Sequence, residues 1–184
     1  MRRGWFVIPG VQDGDVALDD QMQALWPAVA EAKGKTVLDI GCAEGLIGRE
    51  FARAGARAVT GLESIEAHLD VAREHCAGLP MTFVHANINQ PQPDYSADIV
   101  LALGVAHKLQ FPEVGIRFAA RSSRGLVLLR SGRGATNGVI RSKYHGNTCD
   151  SHAIMRAEGF EIERLVDGPP KRREEVVEYW RRRC

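Results

Sequence analysis

The segment Val37-Leu38-Asp39-Ile40-Gly41-Cys42-Ala43-Glu44-Gly45-Leu46-Ile47-Gly48 packs an apolar run, two carboxylates and three glycines into a dozen residues. Thr36–Ile40 has the composition of a short buried strand that ends in an acid. The glycines break it in a turn, and Leu46, Ile47 and Phe51 resume at helical spacing, which predicts a helix near 45–54. Glycine allows positive φ and leaves no Cβ between the backbone and a ligand. In open α/β sheets ligands bind at the carboxyl ends of strands, near the switch in strand order. The spacing narrows the ligand. Gly41-x-x-x-Gly45-x-x-Gly48 does not match the GxGxxG of dinucleotide sites, and no Gly-Lys-Ser/Thr follows for a nucleoside triphosphate. An acid just before the turn repels phosphate and suits a cationic amino acid group.

Outward from this turn, Leu18, Met22, Leu25, Trp26 and Val29 share one helical face and predict a helix over 18–32. Downstream, strands are predicted at 58–63, 81–85, 98–103 and 125–130, with helices over 65–76 and 112–121. Strands that alternate with helices imply a parallel sheet with helices on both faces and right-handed crossovers. The near-continuous apolar run at 99–103 fits burial on both sides. Residues 131–148 lack periodicity and are rich in glycine and basic residues. A helix over 149–158 and a strand over 160–166 follow. The turn Asp167-Gly168-Pro169-Pro170 and a returning strand over 175–180 predict an antiparallel hairpin at the edge of the sheet.

The 184 residues, 45% of them hydrophobic and 26% charged, are enough for one well-cored domain and too few for two. The first hundred residues hold 8 Lys/Arg against 14 Asp/Glu, and the rest 16 against 9. The basic half either presents solvated helix faces or helps to bind an anionic substrate or nucleic acid. No stretch approaches the roughly 20 apolar residues that span a bilayer. The N-terminus makes a poor signal peptide. Cys42, Cys76, Cys149 and Cys184 are scattered, with neither CxxC pairing nor zinc-finger spacing, so reduced thiols in a cytoplasmic protein without a metal site are expected.

The run VLDIGCAEG resembles motif I of the class I S-adenosylmethionine-dependent methyltransferases, whose pattern is roughly V-L-D-[IL]-G-x-G-x-G. The resemblance spans residues 36–130 and continues more weakly to the end; Ala43 stands where the middle glycine is usual. It implies a Rossmann-like methyltransferase sheet, an enzyme, and S-adenosyl-L-methionine as cofactor. It also implies cofactor contacts from Asp39, Gly41, Cys42, Ala43, Glu44 and Gly45 in the turn. Glu63, followed by Ser64, falls where the family's acid accepts both ribose hydroxyls, as a carboxylate can. Asn87 and Ile88 fall at the adenine; an aspartate is more frequent there, so an amide must do the recognition. Leu103 and Gly104 should lie under the methionine portion. The chain then divides into an N-terminal helical cap (1–33), a cofactor-binding core (34–130), a substrate-side loop (131–148), and a C-terminal helix and strand hairpin (149–184).

Methyl transfer from a sulfonium is an in-line displacement with an activated donor, so the protein chiefly aligns the reactants and keeps the pocket dry. A base is needed only where the acceptor must lose a proton. Leu103-Gly104-Val105-Ala106-His107-Lys108-Leu109 lacks the [DN]-P-P-[YF] of the family's DNA and protein amide methylases, which disfavours exocyclic amino methylation. It also lacks the Pro-Cys of C5-cytosine enzymes. His107 is the candidate general base, with an ordinary pKa near neutrality; the competing reading is a packing histidine. Arg133, Arg141, Lys143, Tyr144 and His145 are the candidate substrate-side residues, suited to phosphates and base stacking or to a solvated lid. The acceptor is therefore open between RNA and a small hydroxylated or acidic molecule. A catalytically silent cofactor-binding module is the alternative, and intact Asp39, Gly41, Gly45 and Glu63 argue against decay. A nicotinamide oxidoreductase would require the missing GxGxxG.

Overall fold

The computed structural model describes residues 2–130, 138–168 and 175–183. Two strands open the chain, β1 (Arg2–Phe6) and β2 (Gln12–Val16), followed by two five-residue helices, α1 (Leu18–Met22) and α2 (Trp26–Ala30). β1 and β2 pair in parallel with Gly4 opposite Gly14. The first 33 residues are thus strand as well as helix, and the helix predicted over 18–32 is interrupted. Pro27 explains the break. It has no N–H, and in a continuous helix its ring would collide with the carbonyl of Gln23, so the chain restarts a helix with proline in its first turn. Met22, Leu25 and Val29 are buried as their spacing demands, but Trp26 faces solvent at 50% exposure.

The core elements follow closely the predicted limits: β3 (Thr36–Ile40), α3 (Leu46–Arg53), β4 (Ala58–Glu63), α4 (Glu66–His75), β5 (Met81–His85), β6 (Ala97–Leu103), α5 (Pro112–Ser122) and β7 (Ser123–Arg130). A 3₁₀ turn, Ala106–Lys108, joins β6 to α5. The stretch expected to be loop contains a small antiparallel ladder, β8 (Val139–Arg141) with β9 (Thr148–Asp150). Three-residue strands are too short to show alternation, and only the buried Ile140 anchors this one. The chain closes with α6 (Ser151–Ala157), β10 (Phe160–Asp167) and β11 (Val176–Arg182).

Seven strands form one sheet in the order β10-β11-β7-β6-β3-β4-β5, and β11 alone runs against its neighbours. The predicted hairpin is present, but its returning strand inserts between β7 and β10. Burial shows why. β11 is buried on both faces, with Val177 and Tyr179 on one side and Trp180 on the other, whereas β10 after Phe160 alternates half-buried and exposed as an edge strand does. Successive residues of the inner strands feed two cores. Val37, Val59, Ile99, Leu101, Leu126 and Leu128 pack with Leu46, Phe51, Met22 and Leu25 on one face. Leu38, Ile40, Leu62, Val100, Val127 and Leu129 pack with Ile116, Ala119, Ala120 and Met155 on the other. The Tyr179 hydroxyl donates to Ala24 O at 2.7 Å and ties the N-terminal segment to the sheet.

β3 is hydrogen-bonded to β4 on one side and β6 on the other, so strand order reverses there. The loops leaving β3 and β6 diverge and open a cleft at the carboxyl edge. No helix among the described residues is long and apolar enough to cross a membrane.

Candidate functional site

An open cleft stands at that reversal point. Its wall is built from Gly41 and Ala43 after β3, residues 62–65 at the end of β4 and 86–89 after β5. Residues 103–105 with Lys108 and Leu109 follow from β6, and Trp5 of β1 and His68 of α4 complete it.

The turn after β3 is strapped to the end of β4. Gly41 and Cys42 N–H both donate to Leu62 O, at 2.8 and 3.0 Å, and Ala43 N–H donates to Glu63 Oε2 at 3.0 Å. Gly45 caps α3 at φ 72°, and a Cβ there would come within 2.8 Å of the Phe83 ring. Ala43 sits at φ 48°, in the left-handed region that an L-residue occupies at a cost of about 1–2 kcal/mol. The alanine at the usual middle glycine therefore carries its strain at the cleft wall.

Asp39 lies buried beneath the turn, with Oδ2 unpartnered. Burial pushes its carboxyl up to about 7, the charge of Glu63 adds to the shift, and the Gly48 N–H partly counters it. Glu63 is nearly buried on the wall itself. Its Oε1 accepts from Ser64 N at 2.7 Å, Ser64 Oγ at 3.2 Å and Ile65 N at 3.0 Å, while Oε2 holds only the Ala43 contact and retains acceptor capacity. Burial, with Asp39 and Glu63 adding charge, drives the Cys42 thiol far above its ordinary range; it stays protonated and faces away from the cleft. Asn87 Oδ1 accepts from Asn89 N at 3.0 Å and Nδ2 at 3.2 Å, which leaves its own NH₂ as the group a base can meet. Ile88 and Leu103 form apolar wall.

The side chain of Glu44 is not where the resemblance implies. It is wholly buried and turned toward the N-terminal strands: Oε1 accepts from Trp5 N at 2.8 Å and Gln12 Nε2 at 2.9 Å, and Oε2 from Phe6 N at 3.1 Å. His68 Nε2 stands 3.7 Å from Oε1. A Cβ on Gly4 would lie 2.3 Å from Glu44 Oε1, so glycine there permits the approach. The Glu44 side chain is a strap, and what it straps down is the strand that sets Trp5 against the cleft.

After β6 the 3₁₀ turn selects which side chain enters. His107 does not reach the wall; Nδ1 is buried without a partner, and its carbonyl accepts from Lys143 N at 2.7 Å. Burial first, then the charges of Lys108 and Lys143, hold its pKa below the ordinary value, so the ring is neutral at pH 7. Lys108 is the residue on the wall, with Nζ 4.2 Å above the centre of the Trp5 ring. Of the substrate-side candidates, Arg133 lies outside the described residues. Arg141, Lys143, Tyr144 and His145 lie exposed at the end of β8 and in the turn that follows, and none lines the cleft. That turn leans on the residues after β6 through Lys143 N and through Asn147 Nδ2, which donates to Gln110 O at 2.9 Å. Trp5, His68 and Lys108 were not anticipated. Lys108 stood next to the chosen histidine, whereas nothing local marks Trp5 or His68.

Residues 37–124 match the family described as "Methyltransferase domain". A ubiquinone biosynthesis O-methyltransferase of Proteus mirabilis is 33% identical over 92 residues, covering 48% of this chain and 37% of that protein. The chain spans less than half the length of such curated relatives. Among solved structures, an S-adenosylmethionine-dependent methyltransferase from Mesorhizobium loti superposes with a TM-score of 0.69 at 18% identity, over 89% of this chain and all of that one. Magnesium protoporphyrin IX methyltransferase from Synechocystis PCC 6803, with bound S-adenosylhomocysteine, gives 0.72 at 19% identity, over 93% and 90%.

Proposed function

We propose that this chain, which carries a class I S-adenosylmethionine-dependent methyltransferase domain over residues 37–124, methylates an oxygen of a small hydroxylated or acidic acceptor. The observation that carries the cofactor reading is the pair of carboxylates at the strand reversal. Asp39 Oδ2 is buried and unpartnered beneath the turn, and Glu63 adjoins it with an oxygen still able to accept. Glu63 lines the cleft and Asp39 lies behind its wall; such a pair favours a cationic nucleoside with free hydroxyls and disfavours a pyrophosphate. S-adenosylmethionine, when bound, supplies a methyl group on positively charged sulfur.

The chain's own residues do the rest. Glu63 Oε2 accepts ribose hydroxyls, Ile88 and Leu109 offer apolar surface to the base, and the NH₂ of Asn87 donates to it. Asp39, ionised, balances the positive charge above it. Gly104, at φ 70°, brings backbone rather than a side chain to the wall after β6. The N-terminal strand held by Glu44 shields one side of the cleft from water, which strengthens each of these contacts. Transfer to oxygen is supported by the name of the Proteus relative and by the missing [DN]-P-P-[YF] after β6.

The test is calorimetric titration with S-adenosylmethionine and S-adenosylhomocysteine, then turnover on panels of phenols, aromatic acids and RNA. Glu63→Ala should weaken cofactor binding by more than about 1 kcal/mol, since a charge-assisted contact is lost. Unchanged affinity in that variant removes the ribose assignment. Binding without turnover on every panel favours the silent module, and turnover on RNA alone moves the acceptor to nucleic acid.

A further inference from the structure

We propose that Lys108 and Trp5 form the acceptor-recognition surface of this site and select a planar aromatic anion, a phenolate or an aromatic carboxylate. The inference rests on the methyltransferase reading above. Both residues line the cleft, and the ammonium stands 4.2 Å over the indole. Among the described residues no carboxylate lies within ion-pair distance of Lys108 Nζ, although Arg3, Lys35, Arg73, Arg124 and Arg181 all have one. Burial holds the Lys108 pKa below its ordinary value and Lys143 adds to this, while Glu63 and Asp15 oppose it only as more distant charges. His107, on the same turn, is held neutral. A cation that faces a binding cleft and rests on a ring for want of an anion keeps its charge for the ligand.

The two residues suit one acceptor class. A cation over an open aromatic face is held more weakly than one in a charge-assisted hydrogen bond. An incoming aromatic anion therefore takes the indole face while the ammonium moves to its oxygen. The strand that carries Trp5 is fixed at this point, since the backbone N–H of Trp5 donates to Glu44 Oε1 at 2.8 Å. The chemistry follows from charge. The acceptor oxygen bonds to the methyl carbon as the carbon–sulfur bond breaks, and that bond's electron pair stays on sulfur. Positive sulfur and negative oxygen both become neutral. An oxyanion carries no proton to remove at this step, so Lys108 has only to favour the ionised acceptor, and the site needs no imidazole within reach.

The test uses protein saturated with S-adenosylhomocysteine and titrated with 4-nitrocatechol, whose phenolate is read by absorbance, with benzoate as the carboxylate probe and benzyl alcohol as the neutral one. The wild type should bind 4-nitrocatechol as the phenolate and lower the pH at which it ionises. Lys108→Met should weaken both anions about tenfold or more and abolish the ionisation shift, Lys108→Arg should restore them, and benzyl alcohol should be indifferent to either change. Trp5→Leu should weaken aromatic probes whatever their charge. Retention by one anion and not the other assigns the acceptor to phenolate or carboxylate. Equal anion affinity in wild type and Lys108→Met overturns the proposal, as does a wild type that binds S-adenosylhomocysteine but neither anion. Loss of S-adenosylhomocysteine in Lys108→Met makes Lys108 a cofactor residue and overturns it too, whereas loss in the wild type itself sinks the methyltransferase reading. A mixed tRNA pool bound through Lys143 and Tyr144, with no effect of Trp5→Leu, overturns it in favour of nucleic acid.

Discussion

Glu44→Ala should unlatch the N-terminal strands from the turn after β3. The carboxylate takes three short hydrogen bonds, from Trp5 N, Phe6 N and Gln12 Nε2, at 2.8–3.1 Å and with no solvent exposure. Bonds of this charged kind contribute about 1.5–3 kcal/mol each, so their gross loss is about 5–9 kcal/mol. That figure is a ceiling. The strands can lift away and rehydrate their amides, giving up the burial of Phe6 and Val16 but regaining the backbone freedom that their docking costs. A net loss of about 3 kcal/mol is expected, which lowers the melting temperature by about 6–12 °C for a domain of this size. Glu44→Gln keeps one acceptor oxygen and should lose about half as much. Thermal unfolding gives the magnitude, and hydrogen exchange locates it, with Trp5 and Phe6 amides exchanging early while β3 and β4 stay protected. If Glu44→Ala melts within about 2 °C of wild type with those two amides still protected, the strap is not the function of this residue.

Asp39 gives a pH signature. Its carboxyl is raised by burial and by Glu63 from 3.8 to about 7, so between those values the folded chain holds a proton that the unfolded chain releases. Stability from this group is full below about pH 4 and is lost as pH rises toward 7, by up to about 4 kcal/mol. Asp39→Asn, uncharged throughout, should gain on wild type across that interval in urea unfolding at pH 4.5 and 7.5; an equal difference at both pH values shows that Asp39 is ionised in the cofactor-free protein. At Ala43, glycine relieves about 1–2 kcal/mol of left-handed strain and adds about 0.4–1 kcal/mol of unfolded-state entropy. Ala43→Gly should thus be as stable as wild type or better by up to about 1.6 kcal/mol in chemical denaturation. A clear loss of stability means that the buried Ala43 methyl outweighs the strain.

What could be read without a structure is what near neighbours decide. Strand, turn and helix at 36–53 follow from a short apolar run, glycine placement and helical spacing, all settled within a few residues, and β4 to β7 follow in the same way. The resemblance singled out Glu63 at the end of β4, and a strand end in a parallel sheet puts it on the cleft wall. Pro27 also carried its signal, since a proline in the middle of a helical pattern announces a break. Tertiary structure alone decided the rest. β11 enters between β7 and β10 because two-sided burial is a property of the assembled layers. Glu44 follows Ala43 in the turn after β3, yet points away from the cleft because Trp5, Phe6 and Gln12, more than thirty residues earlier in the chain, bring their donors to it. Lys108 rather than His107 reaches the cleft because the 3₁₀ turn sets its direction and Trp5, arriving from the first strand, receives it. Local sequence determines backbone path and periodicity; which charge finds a partner, and which is left for a ligand, is settled only when distant segments meet.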